Sequence, residues 1–222
     1  MGSSVFGGRG ESASLAGSFL PLAVFGAAFG YLEAAVVVYL REIYYPDGFR
    51  FPLLLASLDH ATVEITREAA TLAMLAAVAH LAGKTRWERF GHFAFLFGVW
   101  DIVFYLSLFV TLGWPGSLLT WDVLFLIPLI WTGPVLAPVL VSVFLIAAGA
   151  AIAVRERRAA PIRVRKVHWL LGALSLALLL YAFMANHPLI YAGGVPISFP
   201  WIPFAAGLLL GAGLALHLIA AK

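Results

Sequence analysis

Six long apolar runs, separated by short charged or Pro/Gly-bearing segments, constrain this chain more than any motif does. A helix rises about 1.5 Å per residue, so about 20 apolar residues cross the roughly 30 Å hydrocarbon core of a bilayer. The runs place spans at about 17–40, 58–83, 90–112, 122–154, 167–185 and 199–220. Of the 222 residues, 63% are hydrophobic and 11% charged. Soluble domains hold about 45–50% and about 25%, so an ordinary water-soluble enzyme is excluded. The expectation is one integral membrane domain over 1–222, all-α and polytopic, a six-span helical bundle. The first run is too long for a signal-peptide core and carries Glu33, so it reads as a retained span.

The fourth run is the irregular one. As a single helix, 122–154 would be about 50 Å long, more than tilt alone accommodates. Pro128, Gly133-Pro134 and Pro138 supply a break. A short helical piece near 122–132 followed by a span over 135–154 is expected, either as a broken helix lining a cavity or as a plain Pro kink.

Basic residues set the orientation. Arg9, Lys84, Arg86, Arg89, Arg155, Arg157, Arg158, Arg163, Arg165, Lys166 and Lys222 fall on one side; Arg41 and Arg50 fall on the other. Eleven against two places both termini in the cytoplasm, as in an inner-membrane protein. The run Arg155–Lys166 reads as a cytoplasmic loop at an anionic lipid surface. No folded module surrounds it, so no nucleic-acid partner is expected. On the other side, Tyr44–Pro52, Trp114, Trp121, Tyr191 and Trp201 read as an interfacial aromatic belt.

Ionisable residues inside a bilayer are costly and mark a function or a paired structural site. Spans one to three hold Glu33, Glu64, Arg67, Glu68 and Asp101, with His60 and Asp122 near the outer surface. Counted from the inner ends of their spans, Glu33, Glu68 and Asp101 lie about 24, 22 and 16 Å deep. His60, Glu64 and Glu68 form one stripe on the second helix. Gly26, Gly30 and Glu33 share a face of the first, and Ala94, Gly98, Asp101 and Tyr105 a face of the third. Small residues beside the acids indicate helix-packed faces. Spans one to three are therefore expected to converge on one polar pocket, lidded by the fourth.

Four carboxylates against one guanidinium do not balance, so protons or a cation must supply the difference. The substrate- or ion-binding candidates are Glu33, Glu64, Arg67, Glu68, Asp101 and Tyr105. His60, Glu64, Glu68 and Glu33 would be the ligands of a divalent or transition metal. The leading reading is proton or cation binding for transport. The alternatives are a membrane-embedded metal- or acid/base-dependent enzyme on a lipid or quinone-like substrate, and an accessory subunit of a membrane complex in which the charges only pair the helices.

His80, His92, His168 and His217 lie near inner helix ends. Facing pairs there would suit haem, but phase separates His80 and His92 from the carboxylates. Gly207, Gly211 and Ala215 read as a packing face on span six, open to another subunit. The chain has no Cys and contains no nucleotide-binding loop, serine-nucleophile elbow or HExxH zinc motif.

Overall fold

The structure is a computed structural model that describes the backbone of residues 7–54, 58–158 and 162–220 and, within these, the side chains of 19–54, 61–158 and 162–220. Among the described residues, seven helices and one hairpin follow in the order α1 (Gly7–Tyr44), α2 (Leu58–Ala82), α3 (Arg86–Leu112), β1 (Trp121–Phe125), β2 (Trp131–Pro134), α4 (Leu136–Arg157), α5 (Lys166–Met184), α6 (His187–Tyr191) and α7 (Trp201–Ala220). Six segments among the described residues are long and apolar enough to cross a membrane, α5 and α6 counting as one. The architecture is thus an all-α bundle of six spans. Large apolar side chains such as Val110, Leu81 and Ile202 remain on the exterior, as a lipid solvent allows.

The chain punctuation is local chemistry. Thr85 caps α3 by accepting the Glu88 N–H at 3.0 Å, and the Glu88 carboxylate accepts the Lys84 N–H, forming a reciprocal cap. Gly113 ends α3 in the left-handed conformation at φ 64°, where a side chain would be strained.

The segment before α4 departs from expectation. Residues 121–134 form an antiparallel hairpin, with Trp121 opposite Pro134, Asp122 opposite Gly133 and Phe125 opposite Trp131. The expected helical piece over 122–132 is corrected accordingly. Pro128 cannot donate a helix hydrogen bond, and pairing two strands satisfies backbone groups that a broken helix would leave bare. Pro138 lies in the first turn of α4, where no amide donor is needed.

Glycines set the helix crossings. A Cβ on Gly30 would stand 2.5 Å from the Trp100 carbonyl oxygen, which seats α1 on α3. A Cβ on Gly98 would stand 2.5 Å from the Ser142 carbonyl oxygen, and one on Gly91 would stand 2.6 Å from that of Gly149, seating α3 on α4. Gly207 and Gly211 lie against Ser175 and Leu178 of α5, so α5 of the same chain covers the small-residue face of the last span. Two apolar cores result. One joins α1, α2 and α3 around Leu22, Leu75 and Leu96; the other joins α4, α5 and α7 around Ala137, Phe183 and Phe204.

Candidate functional site

Between the two cores lies a cavity of about 350 Å³, bounded by α1, α2, α3, the hairpin, α4 and α5. Its walls are mainly apolar and include the aromatic rings of Phe97, Trp100, Phe125, Trp131 and Phe183. Glu33, Arg67, Glu68, Asp101 and Tyr105 all reach its lining. Glu64 does not.

The polar groups within and around it form four separate sets. Arg67 bridges α1 and α2: it pairs with Glu33 and binds Glu64 Oε2 through Nε at 3.0 Å and Nη2 at 2.8 Å. Glu33 is buried and also accepts a 2.7 Å hydrogen bond from the Thr71 hydroxyl. Glu68, one residue beyond Arg67, turns to the hairpin instead. Its two oxygens accept the Leu126 N–H at 2.8 and 3.1 Å, capping a backbone donor that lipid could not satisfy. Asp101 faces α4, where it accepts the Ser142 hydroxyl at 2.8 Å.

The fourth set lies toward the hairpin end. Asp122 is 3% exposed and accepts both the Arg41 guanidinium and the Tyr105 hydroxyl at 3.1 Å. The Arg41 guanidinium lies 3.6 Å from the Trp114 ring centroid and 4.7 Å from that of Phe49. Burial pushes the Asp122 carboxyl up to about 6, while Arg41 and the Tyr105 hydroxyl pull it down.

Convergence of three spans on one cluster is therefore corrected in part. Glu33, Glu64 and Arg67 meet between α1 and α2, but Gly98 and Asp101 share the face that packs on α4. Among the described residues, no group of three or more His, Cys, Asp or Glu is placed to hold a metal ion. The metal set of His60, Glu64, Glu68 and Glu33 is not assembled there. Arg67 supplies the positive charge between Glu33 and Glu64, Glu68 points to the hairpin, and the His60 side chain lies outside the described residues.

The inner-end histidines stand apart from the cavity. His168 and His217 contact each other with ring centroids 5.4 Å apart, and the His168 Nδ1 accepts the Arg165 N–H. His92 is fully buried against Phe19.

Several partners escaped the sequence reading. Ser142 had a signal, being the one hydroxyl in α4. Trp114, read as belt, is a seat for Arg41. Glu88, paired with Arg157 across α3 and α4, lay in what read as an ordinary basic loop.

Helices of this length and apolarity define an integral, multi-pass membrane protein in a lipid bilayer. Compared with known proteins, the chain matches no family model, no curated protein and no solved structure.

Proposed function

We propose that the protein binds protons or a cation in this cavity as part of transport across the membrane, with Glu68 and Asp101 as the exchanging groups. One observation carries this reading: both carboxylates line the same cavity, and neither has an ion-pair partner among the described residues. A carboxylate inside a bilayer is stable only when a proton, a cation or strong hydrogen bonding offsets its charge. Backbone donors of Leu126 and Ile127 at Glu68 and the Ser142 hydroxyl at Asp101 offset part of it, and occupancy of the cavity supplies the rest. Arg67 keeps Glu33 and Glu64 out of the exchange. Both termini lie in the cytoplasm, in keeping with the collection of Lys and Arg at one end of the bundle.

The test is proton flux in liposomes under a potassium diffusion potential, with the purified full chain. Glu68→Gln and Asp101→Asn should each abolish flux while the protein still elutes as a monodisperse species. Undiminished flux in either variant, or no flux from the unaltered chain, overturns the reading.

The aromatic walls favour a second reading, a membrane-embedded enzyme that uses Glu68 and Asp101 in acid/base chemistry on a lipid or quinone-like substrate. Solvent extraction followed by mass spectrometry would then recover a stoichiometric isoprenoid or quinone, lost in Phe97→Ala. A ligand-free extract from membranes rich in quinone counts against it.

A further inference from the structure

A second cavity, of about 200 Å³, lies at the opposite, basic end of the bundle. It is a groove between the start of α3, the end of α4, the start of α5 and the end of α7, lined by Trp87, Phe90, Leu145, Ile152, Trp169 and Leu214 among others. Glycines make the room: a Cβ on Gly172 would meet nothing nearer than Leu214 at 3.6 Å. The Trp87 and Trp169 rings stand 6.1 Å apart at its mouth, in the position indoles take where lipid tails meet headgroups.

The segment that crosses this end is extended and two-faced. Ile162 and Val164 line the groove, while Arg163 and Arg165 alternate with them and are exposed, as is Lys166. Residues 84–89 and 155–166 together carry nine basic side chains against two acids, Glu88 and Glu156. Both acids are already engaged. Glu88 holds Arg157 and the Lys84 N–H; Glu156 accepts the Thr85 hydroxyl at 2.7 Å and the Ile162 N–H at 2.8 Å. A groove suited to hydrocarbon under a rim with a large positive surplus matches one chemistry, a lipid tail bearing an anionic head.

We propose that this groove is a binding site for one anionic phospholipid, its acyl chain between Trp87, Trp169 and Leu214 and its phosphate at Arg163, Arg165 and Lys166. The apolar part accounts for residence, and the basic rim for selection over zwitterionic lipid. Phe144 and Leu145 line both cavities, but Glu68 and Asp101 line only the first, and the proposal does not depend on the transport reading.

Native mass spectrometry of the full chain, released from detergent with either phosphatidylglycerol or phosphatidylcholine added, tests it. One phosphatidylglycerol should bind at least about tenfold more tightly than phosphatidylcholine. The triple variant Arg163→Gln, Arg165→Gln, Lys166→Gln should lose that preference. Gly172→Leu, which fills the groove with a helix-favouring side chain, should lose binding of both lipids at unchanged helical content. Equal affinity for the two lipids overturns the proposal. So does phosphatidylglycerol retained by Gly172→Leu, or a lipid-free dimer that Gly172→Leu dissociates, in which a second copy covers the groove.

Discussion

Arg67 is the residue on which the α1–α2 contact depends. Its guanidinium meets Glu33 and Glu64 together, and Glu33 is almost fully enclosed, with a side chain 7% exposed against 20% for Glu64. Removing one partner of a buried pair leaves an uncompensated charge and costs about 3–5 kcal/mol. Arg67→Ala should therefore destabilise the protein by an amount in that range, whereas Glu64→Ala should cost about 1 kcal/mol or less. Denaturant unfolding in mixed micelles would compare the two. Arg67→Met combined with Glu33→Gln should recover much of the loss, because the more buried of the two charges left behind is removed with its partner. The same logic applies at the C-terminal end of α1, where Arg41 is held by Asp122 and seated on Trp114. Asp122→Ala should cost about 3 kcal/mol or more, and the Trp114 emission should shift as the guanidinium moves. Candidate residues were legible because charge in an apolar run is conspicuous. Their partners were less so: Ser142 is marked only as the lone hydroxyl of α4, and the Leu126 amide, like any backbone group, carries no mark in the sequence.

At the level of elements, the α3–α4 crossing positions Asp101. Gly98 lets the backbones approach until the Ser142 hydroxyl reaches the carboxylate. Gly98→Val should force α4 away, break that bond and cost about 1–3 kcal/mol from overpacking. Ser142→Ala should keep the crossing and lose the hydrogen bond alone, about 1–3 kcal/mol for a buried acceptor left unsatisfied. Proton flux separates the two, with Ser142→Ala retaining a pH-shifted flux and Gly98→Val losing it. The hairpin is the element that periodicity could not reveal. Val123 to Trp131 is an apolar run without alternation, and such a run reads equally as strand or buried helix. What makes it a hairpin is tertiary: Trp131 stacks on Phe183 with ring planes 9° apart, and Glu68 caps the turn at Leu126.

For the whole molecule, the two ends differ in chemistry, and the Cys-free chain makes that difference measurable. Asp47 and Lys84 are both exposed and lie at opposite ends of the bundle. In intact cells, Asp47→Cys should react with a membrane-impermeant maleimide, and Lys84→Cys should react only after permeabilisation. The reverse pattern would invert the proposed topology. Two apolar cores with a cavity between them also explain why the carboxylates divide. Glu33, Glu64 and Arg67 belong to the α1–α2 contact, Asp101 to α4, and Glu68 to the hairpin that lies between.

The amino-acid sequence alone determined the solvent, the number of crossings and the residues worth suspecting, because apolar length and charge in lipid are one-dimensional quantities with large energies attached. The faces on which Gly30, Gly98 and Gly207 lie were also readable from helical phase. Only the tertiary structure decided which helix met each face. Phase specifies a direction around one axis, whereas pairing depends on where the neighbouring axes stand. That is why Asp101 meets Ser142 rather than Glu33, why Gly207 is covered by α5 of the same chain, and why an apolar run before α4 pairs with itself as two strands.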